Sequence, residues 1–267
     1  SASGMWLLDG GKLNMKRNPH IKGLIEKLWP VDQGAPPLSI HIEGNIPRSS
    51  GLGSSAALSV ALAAALRGAR GRWVTHAETV GQNRWAEGFG SLITASDAYG
   101  KSGGFFSTIE QDKMFLLTGE ESVDTDENAI LAHSVEAAAQ NGRASPIDSS
   151  TCSHGGVIVI SNQVQNDLTY LYKRSLKMPD SERFWHIHEL ELGIVPDDIY
   201  LVIGNTGINA PTGKQVAKVA QMLELTPDRM EEIETIGKIA QRGIDALMVG
   251  LSLIHISSPR DSDTSRM

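Results

Sequence analysis

The sequence predicts an α+β protein, and three stretches carry that reading. Leu38-Ser39-Ile40-His41-Ile42-Glu43-Gly44 alternates apolar and polar residues as a half-buried strand does, while Ala56 to Leu66 is an apolar, alanine-rich helix. Met230, Ile233, Ile236, Ile239, Ala240, Ile244, Leu247 and Met248 recur at helical spacing, with Glu231, Glu232, Glu234 and Lys238 on the other face. A chain of 267 residues can bury a sizeable core and suits one large domain or two smaller ones. The formal charge of -7 gives no electrostatic reason to expect nucleic acid or an anionic membrane as partner. Cys152 is the single cysteine, so no internal disulfide can form, and a reducing cytoplasm is the expected setting. The most apolar run, Ala56 to Leu66, is about half a bilayer span, so no membrane segment is expected.

Taken in order, Trp6, Leu7 and Leu8 lead into a Gly10-Gly11 turn, and Ile21, Leu24, Ile25 and Leu28 mark a short amphipathic helix that Pro30 ends. His41 falls on the polar face of the strand at 38–44 and should meet solvent. Arg67, Arg70 and Arg72, interleaved with Gly68 and Gly71, read as the solvated exit of the alanine-rich helix, and Val74 to Ala86 as a further helix. Residues 87–126 look like an insertion. Gly103 to Ile109 could be a strand within it, and Gly119 to Asn128 reads as a solvated acidic turn, because Glu121, Asp124, Asp126 and Glu127 lack calcium-loop spacing. Ala129 to Gln140 is helical, and Val157 to Ile160 and Ile199 to Gly204 are apolar strands. The charged stretch 161–196 reads as a connection between domains. His186 and His188 would share one face of a surface strand there, with no third metal ligand in view. Helices follow at Gln215 to Met222 and from Pro227. Residues 251–267 turn abruptly to serine, arginine and aspartate, resemble translated sequencing-adapter sequence, and are set aside.

The chain is organised around residues 46–66. Pro47, Ser49, Ser50, Gly51, Leu52, Gly53, Ser54, Ser55 and Ala56 form a small-residue loop that runs straight into the alanine-rich helix. Gly51 and Gly53 let the loop curl its N–H groups toward one point, Ser54 or Ser55 caps the helix, and the helix dipole favours an anion at that end. Read alone, the loop fits a phosphate site or a plain turn and cap. It has neither the Gly-Lys-Ser/Thr ending of a P-loop nor Rossmann spacing.

Pro47 followed by Gly51-Leu52-Gly53-Ser54-Ser55-Ala56-Ala57 resembles the second motif of the GHMP kinases, the galacto-, homoserine, mevalonate and phosphomevalonate kinases. Glu136, twelve residues before Asp148, together with Gly142-Arg143-Ala144-Ser145-Pro146-Ile147-Asp148-Ser149-Ser150-Thr151 and Gly155-Gly156, resembles the archaeal type of mevalonate kinase. The resemblance implies a GHMP fold: a ribosomal protein S5 domain 2-like N-terminal domain at 1–165, then part of a ferredoxin-like C-terminal domain at 196–250. It implies ATP and Mg2+ as cofactors and mevalonate as the small-molecule partner. The phosphate loop then holds ATP, Ser55 and Glu136 hold the metal, and Asp148 contacts the substrate hydroxyl as base or orienter. Asn205-Thr206-Gly207 resembles the segment where a threonine hydroxyl approaches the phosphoryl group, so Thr206 joins Asp148 as a catalytic candidate, a turn role staying open. Another GHMP small-molecule kinase, or a non-catalytic binding protein of this fold, stays open too, as does a homodimer. The family's first motif, with its Gly-Glu-His, and its third, glycine-rich motif have no counterpart here. The chain is therefore expected to be a piece of a longer enzyme with little turnover of its own.

Overall fold

Local chemistry explains where the first elements begin and end. The computed structural model describes residues 7–29, 38–46, 51–80, 101–102, 104–109, 125–192 and 212–250. Strands β1 (Leu7–Leu8) and β2 (Gly11–Lys12) are antiparallel and joined at Asp9-Gly10, both with positive φ (49° and 78°), the backbone that a two-residue hairpin requires. Strand β3 (Ser39–Ile40) pairs parallel with β1, and the Asp9 carboxylate accepts the Ile42 N–H at 2.8 Å. Helix α1 (Pro19–Leu28) starts on a proline, whose fixed φ suits a first turn, and buries Ile21, Leu24, Ile25 and Leu28, as their spacing predicts. His41 is exposed, flanked by Asp9 and Glu43.

Helix α2 (Ser54–Val80) is longer than expected: it runs through Gly68 and Gly71 instead of ending there. Arg67 is not a solvated exit either. It is buried and ion-paired with Glu127, and its Nη1 donates to Asn128 Oδ1 at 3.2 Å. Glu127 and Asp126 accordingly belong not to a solvated turn but to the buried first turn of helix α3 (Thr125–Ala139). Every residue of α3 from Asp126 to Ala137 is buried, the pattern of a central helix covered on all sides. It packs against α1, α2 and helix α4 (Ile147–His154) on one side and the main sheet on the other.

That sheet has five antiparallel strands in the order β4-β5-β7-β8-β6. They are β4 (Lys101–Ser102), β5 (Phe105–Ile109), β6 (Ile158–Ser161), β7 (Thr169–Lys177) and β8 (Glu182–Glu189). Residues 169–189 thus form the sheet's central hairpin rather than a charged connection, with Lys177 opposite Glu182 and a bulge between Tyr170 and Tyr172. Beyond the bulge Tyr172, Arg174 and Leu176 all point inward. The core joins Leu24 and Leu28 of α1, Leu62 and Leu66 of α2, Ile130 and Leu131 of α3, and Ile187 of β8. At about 25 cal/mol per Å2, this apolar burial is the dominant stabilising contribution.

Helix α5 (Thr212–Leu225), a 3-10 turn (Pro227–Arg229) and helix α6 (Met230–Met248) follow. The helical spacing in α6 holds, yet Met230, Ile233 and Ile236 are exposed. The expected strand at 199–204 and Thr206 lie outside the described residues, as do 251–267. Among the described residues no helix is long and apolar enough to cross a membrane.

Candidate functional site

The start of α2 faces a cleft of about 470 Å3. Its walls come from four places in the chain: the Gly51-to-Ser55 loop, Glu136 and Gln140 at the end of α3, residues 143–148 leading into α4, and Gly213 and Val216 at the start of α5. Gly51 (φ 79°) and Gly53 (φ 64°) both take left-handed backbone, which an L side chain would strain. Gly53 has a second constraint. A Cβ there would lie 3.3 Å from Asp148 Cγ and 3.5 Å from Asp148 Oδ2, so the absence of a side chain lets the loop and the aspartate close on one another.

Helix α2 begins at Ser54, and Gly53 supplies the first helical carbonyl, accepting the Ala57 N–H at 2.9 Å. Gly53 is therefore the cap residue, not Ser54 or Ser55. The Ser55 hydroxyl is directed elsewhere: it donates to Glu136 Oε1 at 3.0 Å. Ser54 and Ser55 line the cleft in the first turn of α2, at the positive end of its dipole. Leu52 is exposed and Ala56 is buried in the helix packing, and neither lines the cleft. Pro47, Ser49 and Ser50 lie outside the described residues.

Glu136 is 3% exposed. Burial raises its carboxyl to about 7; the Ser55 hydrogen bond pulls the other way, and the nearby charge of Asp148 adds to the rise. Two carboxylates thus share the cleft with different characters, Glu136 buried and reluctant to ionise, Asp148 exposed in the first turn of α4. A serine hydroxyl and a buried carboxylate are hard oxygen donors. Set beside a helix start whose dipole favours an anion, this pair fits a small divalent cation, which would offset the cost of ionising Glu136.

The cleft has polar groups that motif reading passed over. Arg143 is exposed on the wall that carries Asp148, and Gln140 lies one helical turn beyond Glu136. Arg143 belongs to the stretch 142–151, and only its position relative to the glycine loop marks it as a cleft cation. Cys152, one turn after Asp148, has its thiol raised by burial and by the charges of Asp148 and Glu136, so it makes a poor nucleophile. His188 is buried, contrary to a surface strand: its Nε2 accepts the Gln165 N–H at 3.0 Å. Among the described residues no group of three or more His, Cys, Asp or Glu side chains could hold a metal.

No curated protein and no solved structure matches the chain. One family model does, that of the GHMP kinases N terminal domain, over residues 19–95. The matched segment runs from α1 through the glycine loop and all of α2, whereas Glu136 and Asp148 lie beyond it. The glycine-serine loop of the cleft thus lies inside the segment that is similar to the GHMP kinases N terminal domain, and the two carboxylates lie outside it.

Proposed function

We propose that this protein is a mevalonate kinase, transferring the γ-phosphoryl group of ATP to the primary hydroxyl of mevalonate. The observation that carries the reading is the convergence, in one cleft, of the Gly51–Ser55 helix start, the Ser55–Glu136 pair and Asp148. Phosphoryl transfer is mostly positioning and charge stabilisation, and these groups divide that work. The helix start binds phosphate oxygens through its N–H groups. Ser55 and Glu136 are the residues that would hold Mg2+, whose role is to neutralise charge on the phosphates. Asp148, exposed beside Gly53, accepts or orients the attacking hydroxyl proton. Arg143 offers a cation to an acceptor that carries a carboxylate, which favours mevalonate over a neutral sugar. Thr206 belongs to the same proposal, as do a ferredoxin-like second domain and a cytoplasmic setting.

The test is direct. The protein expressed from its natural reading frame, given Mg·ATP and mevalonate, should release ADP and yield 5-phosphomevalonate by mass spectrometry. Asp148→Ala should abolish transfer with little change in nucleotide affinity. Transfer to a sugar or to phosphomevalonate in place of mevalonate would assign a different GHMP kinase. Nucleotide binding with no transfer to any acceptor would leave a binding protein of this fold.

A further inference from the structure

Arg174 of β7 is fully buried at the centre of the molecule, and among the described residues it is paired with no carboxylate. Its guanidinium is spent on two oxygens that lead in opposite directions. Nη1 donates to Ser107 Oγ at 3.4 Å and Nη2 to the Tyr172 hydroxyl at 3.1 Å, and the cation also stands 5.2 Å from the Tyr172 ring.

The first arm has a fixed polarity. A carbonyl can only accept, so His133 Nε2, 3.3 Å from the Ala144 oxygen, must carry the proton and donate it there. His133 Nδ1 is then bare and accepts the Ser107 hydroxyl at 2.9 Å, which frees the Ser107 oxygen to accept from Arg174. Burial, and then the charge of Arg174, lower the His133 imidazole to about 3, so the neutral ring this arrangement requires is the one present near neutral pH. Ser107 is itself held, its backbone N–H donating to Ser134 Oγ at 3.1 Å. The second arm runs from the Tyr172 hydroxyl to His154 Nε2 at 2.9 Å, and the same nitrogen lies 3.1 Å from Asp126 Oδ1.

Ala144 stands three residues before α4 and His154 is its last residue. The two arms therefore reach the Asp148 helix from both ends. We propose that Arg174 is a positioning residue for the cleft, its two arms clamping α4 so that Asp148 is presented to the Gly51–Gly53 loop. The role in transfer rests on the kinase reading above; the clamp itself does not.

Arg174 variants could unfold the protein, since they empty or uncharge the core, so each arm is cut separately while the cation is kept. Ser107→Ala removes the first arm and Tyr172→Phe the second. Hydrogen exchange should show faster exchange at the amides of Ser150 and Gly155, which bond to Pro146 and Thr151 within and at the end of α4, while β7 and β8 keep their protection. Transfer to mevalonate should lose kcat on the order of 10- to 100-fold, with KM for Mg·ATP within about twofold, because a small misplacement of the acceptor group costs rate and not nucleotide binding. Unchanged exchange in α4 in both variants, or protection lost equally across the sheet, would overturn the clamp. If the wild-type protein transfers no phosphoryl group, the exchange arm still decides, and the kinase reading alone has failed.

Discussion

Ser55 Oγ donates to Glu136 Oε1 at 3.0 Å, joining the first turn of α2 to the end of α3 across 81 residues of sequence. The bond connects the group expected to face phosphates with the one expected to face the metal. Neither residue meets the cleft independently of the other.

Removing either member should weaken metal use before it weakens nucleotide binding. Glu136→Gln keeps the shape and removes the charge, while Ser55→Ala leaves the carboxylate without its hydroxyl donor and pushes its proton affinity higher still. Both variants should need roughly 10- to 100-fold more magnesium for half-maximal ADP release, in line with losses at metal sites whose supporting hydrogen bonds are cut. Magnesium titrations at fixed ATP measure this, and unchanged midpoints would remove the pair from the metal site.

Glu136 also makes stability depend on pH. Its carboxyl is raised from 4.5 to about 7 in the fold, so the folded state holds the proton more tightly than the unfolded chain. That contribution is complete below about pH 4.5 and is lost as pH rises through 7, to a total of about 3 kcal/mol. Urea unfolding of the wild type and Glu136→Gln between pH 4 and 8.5 isolates it. Without metal, the variant should gain on the wild type as pH rises, and millimolar magnesium should restore the wild type at pH 8.

Gly51 and Gly53 offer a matched pair. Both have positive φ, so Gly51→Ala and Gly53→Ala should each cost about 1–2 kcal/mol in backbone strain. Only at Gly53 does the new methyl group press on Asp148; among the described residues nothing lies within 4 Å at Gly51. Equal losses of stability, with the larger loss of kcat in Gly53→Ala, are the expected outcome. Equal losses of kcat would mean that the Asp148 contact is irrelevant to transfer.

The parts of the site legible in the sequence are those whose chemistry is local. Gly51 and Gly53 announce a helix start because glycine geometry acts over a few residues, although the cap falls on Gly53 and not on the serines after it, and the spacing in α1 gives its buried face directly. Charges with distant partners were not legible. Arg67 and Glu127 each look solvated when read alone, and only the packing of α2 on α3 makes them a pair. The central hairpin escaped for a related reason. The bulge at Tyr170/Tyr172 breaks the two-residue alternation, and an arginine at an inward position of β7 makes a core strand look like charged linker. His133 likewise sits in an apolar helix with nothing local to show that Ser107 and Arg174 stand behind it.

The buried Arg67–Glu127 pair makes the last prediction. Both side chains are almost wholly removed from water, so each has lost most of its hydration and depends on its partners for compensation. Arg67→Met takes the cation from Glu127 and should cost about 3–5 kcal/mol, because a buried carboxylate is left short of positive charge. Arg67→Met combined with Glu127→Leu removes both charges and refills the space with apolar atoms. The double variant should therefore be more stable than the single one, recovering at least about 2 kcal/mol by urea unfolding. The two substitutions would simply add if the pair were two independent surface charges, and a double variant less stable than Arg67→Met would show that the pair does not govern how α2 docks on α3.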